Sequence, residues 1–187
     1  MIGHGRGLGF MFSIIIPTDD SERALVATLA ALVPGATAGV VREVIVTDGG
    51  SRDQTEQVAD IAGCRFLSSA APRGIRLKAA AERARSDWLM FLDPGLVPGP
   101  TWIDETIAFT DAAGEAPRAA VFRREGGVLQ RALRLLALRD AGSLIIRKSF
   151  YRAHGHRDAA DPERDLLHRI GRRRLVTLRA TATIADI

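Results

Sequence analysis

Glu43-Val-Ile-Val-Thr-Asp-Gly-Gly-Ser-Arg-Asp-Gln-Thr55 decides the fold class, because an apolar run ends in a carboxylate, two glycines and a helix start. Val44 to Val46 is continuous and β-branched, the pattern of a strand covered on both faces. Asp48 falls at the carboxyl end of that strand, and Gly49 and Gly50 permit a sharp turn. Ser51 and Gln54 have the spacing of a capping box for a helix over about 53–62. Open α/β sheets bind ligands at such strand ends.

The same grammar stands earlier in Phe12-Ser-Ile-Ile-Ile-Pro-Thr-Asp-Asp-Ser21, a strand ending in a polar turn. Leu25, Leu29 and Leu32 then recur at helical spacing behind Asp19 or Asp20 as N-cap, and Pro34-Gly35 predicts the stop. Downstream, Cys64 to Leu67 reads as a strand, 74–84 as a helix and 88–92 as a strand. Strands alternating with helices in this way predict an α/β fold with a mainly parallel, right-handed doubly wound sheet and helices on both faces.

Past Asp93, Pro94 to Pro100 reads as a loop and Trp102 to about Ala112 as a helix. A strand over 119–122 follows, then a basic amphipathic helix over 128–138 whose apolar side suits the sheet or a membrane surface. A strand over 142–147, a helix over 162–170 opened by Pro162 and a strand over 175–178 complete the pattern.

With 187 residues, 47% apolar and 26% charged, the chain suits one soluble globular domain. Residues 1–10 read as a flexible glycine-rich leader and 11–187 as the domain, with no run of the ~20 apolar residues that a membrane span needs. One cysteine, Cys64, excludes an internal disulfide. A formal charge of +4 suits anionic partners such as nucleotide diphosphates or acidic lipid. Only 5% of residues are aromatic and no nucleic-acid motif is present, so nucleic acid is not expected as a partner. His154 and His156 flank Gly155 in what reads as an exposed loop, with no metal role.

Strand-Pro17-Thr18, the strand ending Asp48-Gly-Gly-Ser51, the helix opened by Arg73-Gly74 and the strand Trp88-Leu-Met-Phe-Leu-Asp93, in this order, resemble the family 2 glycosyltransferases of the GT-A fold. The likeness covers about residues 12–105 well and Gly142 to Ile187 more loosely. It implies a nucleotide-binding half over 11–95 and an acceptor half over 96–187. It also implies an inverting transfer from a nucleotide-diphospho-sugar to an acceptor, lipid-linked ones included, in the cytoplasm or peripherally at the inner face of the membrane. By the same resemblance, Pro17, Thr18, Asp48 and Gly49 line the nucleoside pocket and Arg73 meets the diphosphate; Lys78 and Ala80 stand where family members often have Asn and Gly, and the lysine charge suits phosphate. Asp93 then begins an Asp-x-Asp motif for Mn²⁺ or Mg²⁺, and Glu163, beside Asp165-Leu166, matches the base. The chain departs from that pattern at Asp93-Pro94-Gly95, where glycine replaces the second carboxylate, and at Pro162-Glu163, where the usual pair is Glu-Asp. Two further readings follow: a non-catalytic nucleotide- or sugar-binding relative, and a membrane-associated scaffold resting on helix 128–138.

Overall fold

The computed structural model describes residues 11–125 and 142–185. Eight strands form one sheet: β1 (Phe12–Thr18), β2 (Val41–Asp48), β3 (Arg65–Ser68), β4 (Trp88–Leu92), β5 (Leu96–Pro98), β6 (Ala119–Arg124), β7 (Ser143–Arg147) and β8 (Leu175–Ile184). Their order is β3-β2-β1-β4-β7-β6-β8-β5. The first four are parallel, as the alternating pattern predicts. β7 then runs antiparallel to both β4 and β6, β6 pairs β8 in parallel, and β5 pairs β8 antiparallel.

The strands are apolar without alternation because both faces are covered. On one face Phe12, Ile14, Ile16, Trp88, Met90 and Leu92 pack beneath α1 (Glu22–Thr37), α2 (Thr55–Ile61) and α4 (Trp102–Ala113). On the other, Ile15, Ile45, Leu89 and Phe91 meet α3 (Arg73–Arg83), α5 (Lys148–His154) and α6 (Pro162–Ile170). Each large aliphatic chain removed from water in this way stabilises the fold by about 2 kcal/mol. The polar chemistry is confined to the strand ends.

Several boundaries differ from the sequence reading. α1 continues through Pro34 to Thr37, since its last turn still closes with Ala38 N donating to Pro34 O at 2.9 Å. Gly35 is there for space: a Cβ would lie 2.4 Å from the Trp102 ring. α2 begins at Thr55, and no capping box forms, because the Ser51 hydroxyl donates to Asp48 at 2.5 Å instead. The N-cap residue is Gln54, and Asp53 before it accepts Thr55 N and the distant Glu22 N, both at 3.0 Å. Neither Asp19 nor Asp20 caps α1, whose N-cap residue is Ser21.

β5 occupies the expected loop, and β8 runs past Leu178 to Ile184 on small alternating residues, Ala180 and Ala182 inward. β3 begins at Arg65, leaving Cys64 half-buried just before it, with its thiol pushed up to about 11 by burial. α5, which has too few residues for a helical period, follows directly on β7; Lys148 N donates to Asp87 O at 2.7 Å, and its ammonium caps the end of α3 through Ala84 O at 2.5 Å. Residues 1–10 and the amphipathic segment 128–138 lie outside the described residues.

The start of α3 packs so closely on the loop before α6 that a Cβ on Gly74 would lie 1.9 Å from the Arg157 carbonyl oxygen. Backbone cannot yield as a side chain can. Gly74→Ala is expected to cost about 2 kcal/mol or more, a fall of about 5 °C in Tm measured by calorimetry.

Candidate active site

β1 lies between β2 and β4, so the carboxyl ends carrying Asp48 and Asp93 stand two strand spacings, about 10 Å, apart. At the β2 end, Asp48 is 2% exposed and fully engaged. Oδ1 accepts the Thr18 and Ser51 hydroxyls at 2.8 and 2.5 Å, and Oδ2 accepts Gly50 N and Ser51 N at 2.7 and 2.8 Å. Burial alone would raise the Asp48 carboxyl, but these donors outweigh it and hold it below the usual carboxylate range. Gly50 turns the chain at φ +106°, where a side chain would be strained.

The floor under this turn is Arg76, a residue only 7% exposed. Its guanidinium donates to the carbonyls of Thr47 at 2.6 Å, Ala71 at 3.1 Å and Thr18 at 3.3 Å. Gly49 leaves room for it, since a Cβ there would approach Nη2 to 3.0 Å. Arg76 thus ties together the ends of β1 and β2 and the loop before α3.

At the β4 end, Arg73 opens α3 and spans two carboxylates. Its Nη2 donates to Asp93 Oδ1 at 2.5 Å and its Nε to Glu163 Oε1 at 2.6 Å. Glu163 stands in the first turn of α6, whose start is set by Pro162 and by the Asp161 carboxylate accepting Arg164 N at 2.9 Å. Asp93 is held by its own amide, which donates to Gly142 O at 2.8 Å. Behind this bridge lies a cavity of about 140 Å³ lined by Pro17, Arg73, Asp93, Asp161, Glu163 and His156 among apolar walls that include Leu77, Phe91 and Leu144.

Of the residues singled out in the sequence, Pro17, Arg73, Asp93 and Glu163 meet at that cavity. Thr18, Asp48 and Gly49 form the adjoining strand-end turn. Lys78 does not line the cavity and points to solvent from α3. His156 lies in the interior rather than in an exposed loop: it is 2% exposed, its Nδ1 is 2.9 Å from the Tyr151 hydroxyl, and its ring meets Phe91 edge-on at 4.9 Å. Nothing in the local sequence marks it, because its burial comes from α5 and β4 packing around it.

The residues present do not build a divalent cation site. Asp93 is already paired with Arg73, and Gly95 has no side chain. Its backbone sits at φ +85°, with its amide donating to Ala24 O and Thr28 Oγ1 on α1. Among the described residues no group of three metal-ligating side chains converges.

Burial, then the Arg73 and Arg169 cations, outweigh Asp165 and push the His156 imidazolium down to about 3. The unfolded ring takes its proton near pH 6.5. Between those limits the unfolded state binds a proton that the folded state refuses, so stability present above pH 6.5 is lost as pH falls toward 3. Urea unfolding at pH 7 and pH 5 is expected to show wild type losing about 2 kcal/mol more than His156→Gln. Equal losses would mean that the ring is charged in the fold.

Comparison with known proteins agrees with this geometry. Glycosyl transferase family 2 matches residues 13–161. Validoxylamine A glucosyltransferase of Streptomyces hygroscopicus subsp. limoneus is 32% identical over 119 residues, which are 59% of this chain and 26% of that protein. The chain therefore spans about a quarter of the length of that curated relative. Glucosyl-3-phosphoglycerate synthase from Mycobacterium tuberculosis, in complex with Mn²⁺, UDP and glucosyl-3-phosphoglycerate, superposes with a TM-score of 0.74 at 20% identity, covering 100% of this chain and 79% of that one. The same enzyme with Mg²⁺ and UDP gives 0.75 at 19% identity, covering 96% and 73%. With the fold, the strand-end turn and the match over most of its length in agreement, the chain belongs to glycosyltransferase family 2, on a GT-A-like scaffold.

Proposed function

We propose that the chain transfers a sugar from a nucleotide-diphospho-sugar to a hydroxyl acceptor, with inversion. The acceptor oxygen attacks the anomeric carbon opposite the diphosphate, and the carbon–oxygen bond to the β-phosphate breaks, its electron pair passing to the phosphate. The acceptor proton goes to Glu163. The observation that carries this reading is that Arg73 brings Asp93 and Glu163 to one cavity wall at the carboxyl ends of the strands. Among the described residues, carboxylates take two of the Arg73 N–H groups, which leaves others for phosphate oxygens. The start of α3 favours negative charge at the same place.

The nucleoside fits beside Pro17 and Gly49. Asp48, with its acceptor positions filled by Thr18, Gly50 and Ser51, acts first by rigidifying that pocket. The residues around Asp93 do not complete a metal site, and Arg73 is the cation that meets the charge on the departing phosphate. The Mn²⁺ and Mg²⁺ that accompany UDP in the mycobacterial synthase belong to that protein.

A second reading, a binding relative without transfer activity, draws on the same contact, because Glu163 is paired with Arg73 and a base must be free to take a proton. Among the described residues no helix is long and apolar enough to cross a membrane, and the segment 128–138 on which the membrane-associated reading rests lies outside them.

Incubation with UDP-, GDP- and dTDP-glucose, with water taking the glucosyl group in slow hydrolysis, is expected to release the nucleotide diphosphate of the donor that the chain accepts, with micromolar-to-millimolar affinity in calorimetry that changes little between Mn²⁺ and chelator. Glu163→Gln should lower turnover by about 10²-fold or more while leaving nucleotide affinity within a few-fold. Nucleotide binding without release would establish the second reading.

A further inference from the structure

His156 lines the cavity but takes no part in the transfer step, and its hydrogen bonds decide which ring nitrogen carries the proton. The Tyr151 oxygen accepts the His156 backbone N–H at 3.2 Å and lies 2.9 Å from Nδ1. A tyrosine hydroxyl has one proton, and Nδ1 is the acceptor it reaches, so the hydroxyl donates to Nδ1. A neutral imidazole with Nδ1 accepting carries its hydrogen on Nε2. Phe91 at 74° to the ring and the buried Tyr151 fix its plane. Nε2 has no hydrogen-bond partner among the described residues, although the whole residue is 2% exposed and borders the cavity.

We infer that His156 Nε2–H is a specificity-determining donor to an uncharged oxygen, a hydroxyl or ring oxygen of a sugar seated in the cavity of about 140 Å³. The inference rests on the sugar-transfer reading and adds to it the residue that distinguishes a sugar from a bare nucleotide. A ring that stays neutral offers direction without charge, which suits a hydroxyl rather than a phosphate. Arg73 and Arg164 stand with Asp93, Asp161 and Glu163 in the lining, so charge there is largely balanced, whereas Leu77, Phe91 and Leu144 suit the C–H face of a pyranose. Phosphates are met by Arg73 instead.

The test joins ¹⁵N NMR of the imidazole with calorimetry of UDP, UDP-glucose and free glucose, and with the GDP and dTDP counterparts. The expected result is an Nε2–H tautomer in the unliganded protein and an Nε2 signal that moves with the sugar-bearing ligand but not with the nucleotide. His156→Phe should reduce the affinity advantage of nucleotide-sugar over nucleotide about tenfold, leaving the nucleotide itself unchanged. Tyr151→Phe, which frees the ring to change tautomer, should move it in the same direction by less. Movement with free glucose alone would support the site with the acceptor sugar as its occupant. An Nδ1–H tautomer, equal loss for nucleotide and nucleotide-sugar, or an Nε2 signal unmoved by every sugar would overturn the inference. Absence of nucleotide binding with movement by glucose would instead remove the donor reading and leave the sugar site standing.

Discussion

The guanidinium of Arg73, held between Asp93 and Glu163, is the contact on which the site depends. It joins the end of β4 to the first turn of α6 across 90 residues of sequence between Arg73 and Glu163. All three side chains are about one-third exposed, so each pair stabilises the fold by no more than about 1 kcal/mol. Their value is geometric. The stability comes from the apolar layers on either side of the sheet, and the approach of Gly74 to Arg157 places the two helix starts face to face. An ion pair that contributes little to folding can open for a ligand without loosening the domain.

The strand ends divide polar work between two kinds of group. Asp48, Arg76 and the Thr18 hydroxyl are buried and saturated with partners, and such networks rigidify. Arg73, Asp93 and Glu163 are half-exposed, with hydrogen-bonding capacity left over. The first set shapes the pocket and the second can exchange partners within it. His156 belongs to neither: it is buried like the first set yet has one ring nitrogen open, which is why the cavity can read hydroxyls at a depth where charge would be costly.

The parallel core was legible in the sequence because Ile14 to Ile16, Val44 to Val46 and Leu89 to Leu92 are long apolar runs closed by turn residues. The resemblance brought Pro17, Arg73, Asp93 and Glu163 to the same cavity for the same reason: each sits at a strand end or a helix start that local pattern marks. Beyond Asp93 the local signals weaken. β5 has three residues including a proline, the far half of β8 is alanine and threonine, and α5 lacks the length for a helical period. Their partners, not their own residues, make them regular. His156 was illegible for that reason too, and the Ser51–Gln54 spacing misled because the Asp48 carboxylate takes the Ser51 hydroxyl.

Arg73 also decides how the site meets charge. A dication about 4 Å from the guanidinium would be repelled by about 8 kcal/mol at an effective dielectric of 20, about what the Asp93 carboxylate would return at the same distance. Beside Arg73 the one carboxylate leaves little net attraction for a cation, and Gly95 supplies no second carboxylate. A diphosphate faces the opposite situation, since it is attracted to the same guanidinium and competes with Asp93 and Glu163 for its N–H groups. In the proposed transfer, phosphate first meets the N–H groups that the carboxylates leave over, and where it also displaces Glu163 the released carboxylate is the form that accepts a proton. Under that proposal, donor binding and freeing of the base are two sides of one exchange at a single side chain.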